Sequence, residues 1–178
     1  DIYYVLPIFE VTDTIQLPNK SSYNFQLKPI GSGSYASVYS YLDSSYNKTF
    51  AVKRAKDNIS QKDLKRFYLE FETMKKLSSP YLLEVYSIDK SKNEYVMEYA
   101  DMTLLTYITA QNQKLTFEER KSLCYQIIRG FEYLTEKGIL HRDIAPNNIL
   151  IKEYEDTKIV KIADFGNVKL SDNLLTSI

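Results

Sequence analysis

Three segments of the chain carry residues whose types and spacing could do chemistry. Lys53 ends a strand-like run, and two polar segments follow late in the chain: His141-Arg142-Asp143-Ile144-Ala145-Pro146-Asn147-Asn148 and Asp164-Phe165-Gly166. Phosphoryl transfer asks a protein for a carboxylate near the incoming hydroxyl, oxygen ligands for magnesium and a cation on the phosphates. These segments contain side chains of all three kinds, so phosphoryl transfer is a chemistry that they could perform together.

A turn of small residues, Gly31-Ser32-Gly33-Ser34-Tyr35-Ala36, lies between two strand-like segments. Because its side chains are small, backbone N–H groups could approach a phosphate closely. A dinucleotide-binding turn is the rival interpretation, but it needs a helix directly after the glycines, and residues 37–41 continue here as a strand. From these residues alone, the segment could also be an ordinary glycine-rich hairpin with no ligand.

The lysine at position 53 is ambiguous in isolation. A lysine on a strand is usually a solvated surface charge, and strand alternation puts Lys53 on the same face as Ala51. A functional lysine needs a carboxylate to hold it under the phosphates. The following segment, predicted to be helical, offers Glu70 and, as second choice, Glu72.

Apolar spacing and turn residues predict the elements that must position these groups. Turn residues separate three strands, and Ser60 is a plausible N-cap for a helix that Pro80 stops. The predicted elements of this half are strands Phe25–Ile30, Ala36–Leu42 and Thr49–Arg54, the helix Ser60–Leu77, and strands Leu82–Ile88 and Glu94–Tyr99.

The second half is predicted to be mainly helical. A short helix is expected over Leu104–Ala110, and a long one opens at Thr116 and ends at Lys137-Gly138. Two short strands follow, Ile149–Lys152 and Val160–Ala163. The fold class is therefore α+β: a five-stranded antiparallel sheet with one helix, followed by a mainly helical part.

Composition excludes several function classes. The 178 residues include 44% hydrophobic side chains, enough for a sizeable core, and the 23 basic and 23 acidic residues cancel. A zero net charge gives no overall positive field that would attract nucleic acid or an anionic membrane surface. Residues 1–10 lack the basic start and apolar run of a signal peptide, so we expect a cytoplasmic location, or the host cytosol if the source is a pathogen.

In their order along the chain, these motifs resemble the signature of the eukaryotic-type protein kinase family: a Gly-rich loop, a strand-three lysine, HRDxxxxN and DFG. The resemblance covers about 23–170. It implies that Lys53 holds the ATP phosphates with Glu70 as its ion-pair partner. It also implies that Asp143 orients the substrate hydroxyl and accepts its proton, while Asn148 and Asp164 ligate Mg²⁺.

The resemblance also implies a nucleotide pocket, although simple core packing explains its apolar residues equally well. Besides the loop residues 31–36 and Lys53, it assigns adenine contacts to Ile30, Val38, Ala51 and Leu150, a gatekeeping position to Met97, and a hinge to Glu98 through Ala100. A stack that links the two lobes matches His141, Phe165, Met74 and Val85. The implied division is an extension (1–22), an N-lobe (23–96), a hinge (97–101) and a partial C-lobe (102–178).

Several positions depart from the family pattern. Ala36 replaces the third loop glycine. Ala145 stands where Ser/Thr kinases usually have a lysine, and Asn147 where tyrosine kinases recover that charge with an arginine. Unless Lys152, Lys169 or a residue beyond 178 supplies the cation, slow catalysis is expected. Arg142 suggests control by a phosphate on the activation segment, with Ser171, Thr176 and Ser177 as candidates.

The sequence therefore predicts a kinase that transfers the ATP γ-phosphate to a protein hydroxyl, with Ser/Thr favoured and Tyr or dual specificity open. The alternative is a pseudokinase that binds nucleotide or docks a partner with little turnover. Because the chain stops soon after the DFG motif, we expect it to be part of a longer protein and inefficient alone. The helix stripe Leu123, Ile127, Phe131 and Leu134 is expected to face water unless a missing segment, a partner or a second copy covers it.

Overall fold

The computed structural model of the chain describes residues 26–155 and 157–170. The first half contains β1 (Lys28–Ser32), β2 (Ala36–Asp43), β3 (Lys48–Ala55), α1 (Gln61–Lys75), β4 (Val85–Asp89) and β5 (Glu94–Glu98). The second half contains β6 (Met102–Thr103), α2 (Leu104–Gln111), α3 (Phe117–Glu136), β7 (Ile139–Leu140), β8 (Ile149–Tyr154), β9 (Thr157–Ile162) and β10 (Lys169–Leu170).

The first five strands form one antiparallel sheet in the order β1-β2-β3-β5-β4. The first strand lies later in the chain than predicted: it starts at Lys28, while the start of the predicted strand, Phe25, falls outside the described residues. Its pairing with β2 is irregular between Pro29 and Gly31. Proline has no N–H to donate to a ladder, so an irregularity at Pro29 is physically reasonable.

Helix α1 packs one face inward and lies against β4. Its N-cap is Ser60, as predicted, whose Oγ accepts a hydrogen bond from the Asp63 N–H at 3.1 Å. The buried face carries Phe67, Phe71 and Met74, and it also buries a carboxylate, Glu70. A buried charge on an otherwise apolar face requires a partner, and that partner lies on the sheet.

The second half combines a short helix, α2, and a long one, α3, with small sheets, β6-β8-β9 and β10-β7. A capping box at Thr116 and Glu119 starts α3. The helix then approaches β9 so closely at Gly130 that a Cβ there would lie 2.5 Å from Cδ1 of Ile162. The two-residue strands β6, β7 and β10 were not predicted, because two residues carry no readable periodicity.

The predicted exposure of the long helix is wrong. On α3, Leu123 and Leu134 are buried, and Ile127 and Phe131 are half-buried against the same core. Strands β7 and β9, which contact α3, cover this stripe. The apolar side chains that α3 does expose, Phe117, Tyr125 and Ile128, belong to a different face.

Backbone hydrogen bonds join the two halves directly. The Leu83 N–H donates to the Ile162 carbonyl at 2.9 Å, and the Ile162 N–H donates to the Tyr81 carbonyl at 2.8 Å. Leu82 therefore pairs with β9, which explains why β4 begins at Val85 and not at Leu82 as predicted. Across residues 26–155 and 157–170, no helix is long and apolar enough to span a membrane.

Candidate active site

The first element of the site is an ion pair between the sheet and α1. Lys53, on β3, directs its Nζ into the cleft beside the sheet and lies 2.7 Å from both Oε1 and Oε2 of Glu70. Glu70 is 2% exposed and Lys53 13% exposed, so little water screens the pair. Glu72, the second candidate partner, is exposed on another side of α1.

The small-residue turn is anchored over the cleft by its own backbone. The Gly33 N–H donates to the Ala36 carbonyl at 2.8 Å, and Lys56 Nζ donates to the Gly33 carbonyl at 2.7 Å. The Lys56 N–H also donates to the Tyr35 carbonyl at 2.9 Å. These contacts hold the turn in one closed arrangement while its small side chains line the cleft below.

Tyr35 reaches from this turn into the charged part of the cleft. Its hydroxyl lies 3.1 Å from Oε2 of Glu70 and 3.5 Å from Oδ1 of Asp164. A phenol has only one O–H to donate, so the two carboxylates compete for it. The ring also lies 5.2 Å from Nζ of Lys53.

The surroundings keep the Tyr35 phenol neutral. Burial, and next the negative charges of Glu70 and Asp164, raise the pKa of Tyr35 far above its ordinary value. The phenol approaches so closely that a Cβ at Gly166 would lie 2.8 Å from its oxygen. A side chain at position 166 would therefore push Tyr35 out of its present place.

The segment 141–148 is a loop held by buried hydrogen bonds. His141 is buried, and its Nε2 donates to the Ala163 carbonyl at 2.9 Å, which identifies Nε2 as the protonated nitrogen. The Asn148 amide Nδ2 donates to the carbonyl of Asp143 at 3.0 Å. Arg142 has a positive φ of 66°. A left-handed arginine inside a tightly bonded loop indicates backbone strain that the surrounding contacts maintain.

Asp164 and Asn148 both line the cleft. The Ala163 N–H donates to the Asn148 carbonyl at 2.9 Å, and Asp164 follows with a positive φ of 63°. Because Asn148 uses Nδ2 to bind the loop, its Oδ1 is left as the atom that can act as a ligand. An amide oxygen and a carboxylate are the hard oxygen donors that Mg²⁺ prefers, so these two residues fit a magnesium ion that also binds phosphate oxygens.

Asp143 lies at the edge of this arrangement. Its side chain is half-buried, and Oδ2 accepts a hydrogen bond from Nδ2 of Asn167 at 3.4 Å. Lys152, one of the predicted replacement cations, donates instead to the Tyr99 carbonyl at 2.6 Å. Lys169, the other, is exposed on β10 beside Leu140. Neither lysine contacts Asp143 within the described residues.

A cleft of about 760 Å³ lies between the sheet and the second half of the chain. Every residue predicted to bind nucleotide lines it: Ile30, Gly31, Ser32, Gly33, Ser34, Tyr35, Ala36, Val38, Ala51, Lys53, Met97, Glu98, Ala100, Leu150 and Asp164. Leu83, Asp101, Met102, Thr103 and Asn147 line it as well, and sequence reasoning did not single them out as cleft residues. The cleft has an apolar end at Met97 and a charged end at Lys53.

The comparison with known families agrees with this geometry. The sequence model of the family described as protein kinase domain matches residues 25–176. The chain belongs to the protein kinase family.

Curated relatives of this kinase chain come from several eukaryotes. Mitogen-activated protein kinase 14 of Xenopus laevis is 35% identical over 161 residues, covering 84% of this chain and 43% of that protein. The carbon catabolite-derepressing protein kinase of Saccharomyces cerevisiae is 33% identical over 159 residues, covering 85% and 24%. Mitogen-activated protein kinase 6 of Arabidopsis thaliana is 30% identical over 171 residues, covering 92% and 40%. The chain thus spans less than half the length of each of these relatives.

A second buried ion pair holds Glu98, a residue of the predicted hinge. Nζ of Lys161, on β9, lies 3.0 Å from Oε2 of Glu98, and both side chains are buried. The same carboxylate oxygen accepts from the Glu84 N–H at 3.4 Å. The Glu98 side chain is therefore held by protein groups, while the hinge backbone borders the cleft.

The four residues assigned to the linking stack are all buried. His141, Phe165, Met74 and Val85 are each at most 4% exposed, and the rings of His141 and Phe165 meet edge to face with centroids 5.1 Å apart. This packing connects the floor of the cleft to α1 and β4. The positions proposed for regulatory phosphorylation, Ser171, Thr176 and Ser177, lie outside the described residues.

Proposed function

We propose that the protein containing this chain is a protein kinase that transfers the γ-phosphate of ATP to a serine or threonine hydroxyl. The observation that carries the proposal is that Lys53, Asn148 and Asp164 line one cleft and that the Asn148 amide is hydrogen-bonded to the carbonyl of Asp143. Family membership and the names of the relatives, which are Ser/Thr and mitogen-activated protein kinases, support the same activity.

The proposed reaction exchanges one P–O bond for another. The acceptor hydroxyl oxygen attacks the γ-phosphorus, the bond from that phosphorus to the bridging oxygen breaks, and ADP leaves with the electron pair. Asp143 orients the hydroxyl and takes its proton. Lys53, held by Glu70, stabilises the negative charge on the phosphates.

Magnesium, when bound, neutralises charge on the phosphate oxygens. We propose that Asn148 Oδ1 and the Asp164 carboxylate hold it. The bond from Asn148 to the Asp143 carbonyl fixes the amide, so that the ligand oxygen is oriented before nucleotide binds. Residues Ile30, Val38, Ala51 and Leu150 form the apolar walls for the adenine, and Glu98–Ala100 form the hinge.

The remaining assignments are part of the same proposal. We propose an N-lobe over 23–96, a hinge over 97–101 and a partial C-lobe over 102–178, with a cytoplasmic site of action and a protein substrate. A pseudokinase with little turnover is the weaker candidate, since Lys53, Asp143 and Asp164 are all present. The departure is Ala145, at a position where a cation is usual.

A transfer assay tests the proposal. The protein, expressed at its full native length, is incubated with γ-labelled ATP, Mg²⁺ and a generic Ser/Thr substrate such as myelin basic protein, next to the variant Asp143→Asn. We expect label in the substrate with the wild type and at least a roughly 100-fold lower rate with the variant. Equal, background label in both, together with tight Mg-ATP binding, would favour the pseudokinase.

A further inference from the structure

Asp143 forms no salt bridge with any described residue, yet an arginine is linked to it through one intervening amide. Ala145 removes the lysine that Ser/Thr kinases usually place beside this carboxylate, and Lys152 is bonded to the Tyr99 carbonyl. Among residues 26–155 and 157–170, the side-chain contact recorded for the Asp143 carboxylate is with Asn167. The amide of Asn167 is in turn contacted by a guanidinium.

That guanidinium belongs to Arg66, one helical turn before Glu70 on α1. Its Nη2 donates to Oδ1 of Asn167, and its Nε donates to the Gly166 carbonyl at 3.2 Å. Nη1 lies 3.5 Å from Oδ1 of Asp63. The planar guanidinium therefore donates hydrogen bonds to two consecutive residues, Gly166 and Asn167. A lysine could not reproduce this geometry.

The Asn167 amide accepts a hydrogen bond at its oxygen and donates one at its nitrogen. Oδ1 accepts from Arg66, and Nδ2 donates to Oδ2 of Asp143 at 3.4 Å. An amide that accepts a charged hydrogen bond is polarised and becomes a better donor at its nitrogen. Arg66 thereby strengthens the hydrogen bond that Asn167 donates to Oδ2 of Asp143. No hydrogen bond to Oδ1 of Asp143 is found in the described part of the chain, so that oxygen is available to a substrate hydroxyl.

We propose that Asn167 is a positioning residue for Asp143, held and polarised by Arg66, and that this contact fixes the Asp143 side chain in a chain that has alanine at position 145. The inference rests on the proposed phosphoryl transfer, because a positioned base matters only if Asp143 accepts a proton. It also couples α1 to the base, since displacement of the helix would withdraw Arg66 from Asn167.

The kinetic test uses the full-length protein and the variants Asn167→Leu, Arg66→Ala and the double variant. Leucine matches asparagine in size but cannot bridge. We expect Asn167→Leu to lower kcat by roughly 10- to 100-fold while KM for ATP changes less than about twofold, as for an interaction made in the transition state. Arg66→Ala should lower kcat, and adding it to Asn167→Leu should lower kcat little further. Asn58→Leu and Lys65→Ala, at exposed positions, are the matched controls.

A second measurement does not depend on turnover. In the wild type, the Asn167 Nδ2 proton that is donated to Asp143 should exchange with solvent at least about tenfold more slowly than the side-chain amide protons of Asn58, since it is hydrogen-bonded. Asp143→Ala and Arg66→Ala should each remove that protection. Nuclear magnetic resonance of the labelled side-chain amides measures both.

The outcomes separate the two proposals. If the wild type transfers label but Asn167→Leu is as fast, or if the two substitutions are additive, the positioning role of Asn167 is wrong and the kinase proposal stands. If the wild type binds Mg-ATP and transfers nothing, the kinase proposal fails first and Asn167 has no base to position. If the Asn167 amide is unprotected in the wild type, the contact itself is absent.

Discussion

Two buried lysine–glutamate pairs of this kinase domain have nearly the same chemistry and different surroundings. Lys53–Glu70 lies in the cleft, where the Tyr35 hydroxyl contacts both the Glu70 carboxylate and Asp164. Lys161–Glu98 lies at the predicted hinge, where the Glu98 carboxylate also accepts a hydrogen bond from the Glu84 N–H. Since both pairs are desolvated, the cost of removing their charges from water offsets much of their attraction. The difference teaches that access to the cleft, not the ion pair itself, makes one lysine available to a nucleotide.

The largest effect should come from the cleft pair. Lys53→Met should lower phosphoryl transfer by at least about 100-fold, because the cation on the phosphates is lost. Tyr35 can still donate to Glu70, so the loss in unfolding free energy should be smaller than for the hinge pair. Transfer assays and urea unfolding measure the two quantities, with Lys62→Met on the exposed side of α1 as control. A Lys53→Met protein with normal transfer would contradict the assignment of the cleft.

The hinge pair should show the opposite profile. Lys161→Met leaves the Glu98 carboxylate buried without its cation, and should lower the unfolding free energy by about 3 kcal/mol. At a temperature where the variant is folded, transfer should change less than about threefold, since the lysine lies outside the cleft lining. Lys161→Arg, which keeps the charge, should recover part of the stability. Loss of activity in a fully folded Lys161→Met protein would show that the contrast between the pairs is wrong.

A smaller effect is expected at Tyr35, which distinguishes the cleft pair from the hinge pair. The phenol contacts Asp164, one of the proposed metal ligands, so nucleotide and metal must displace it. Tyr35→Phe should therefore tighten Mg-ADP binding by about threefold, the size of one modest hydrogen bond. Calorimetric titration, with the exposed Tyr46→Phe as control, measures the change. Weaker binding by Tyr35→Phe would mean that the hydroxyl assists the nucleotide.

The pH dependence of this variant follows from the protonation of Tyr35. Its pKa is raised, so the neutral phenol that donates the hydrogen bond is present at all pH values below the ordinary value for tyrosine. The difference in affinity between wild type and Tyr35→Phe should stay constant from about pH 6 to about pH 9. A difference that vanished towards pH 9 would indicate that the phenol ionises early.

The smallest effect is expected for an exposed pair on α3. Nη1 of Arg129 lies 2.7 Å from Oε2 of Glu132, but both side chains are about half exposed. Glu132→Gln should leave the urea midpoint of unfolding unchanged within experimental error, because water and salt screen the attraction. Urea unfolding at low and high salt checks this. An effect as large as that of Lys161→Met would mean that burial does not explain the contrast.

Much of the fold was predictable from local pattern. The predicted N-cap Ser60, the predicted start of the long helix at Thr116 and the apolar spacing of α1 and α3 predicted the main elements within a few residues. Two of the errors have the same cause. Leu82 reads as the start of a strand but pairs with Ile162, and the α3 stripe reads as exposed but packs under β7 and β9. Partners distant in sequence decide both, and no local pattern contains them.

The sequence alone determined which groups the cleft could contain, because an ordered set of motifs, each on the element type that the family needs, restricts the fold strongly. Tertiary structure decided their contacts: that Glu70 and not Glu72 pairs with Lys53, that Tyr35 folds onto Asp164, and that Arg66 reaches Asp143 through Asn167. The physical reason is range. Propensity and periodicity act over a few residues, whereas these contacts join side chains that only the packed chain brings within hydrogen-bonding distance.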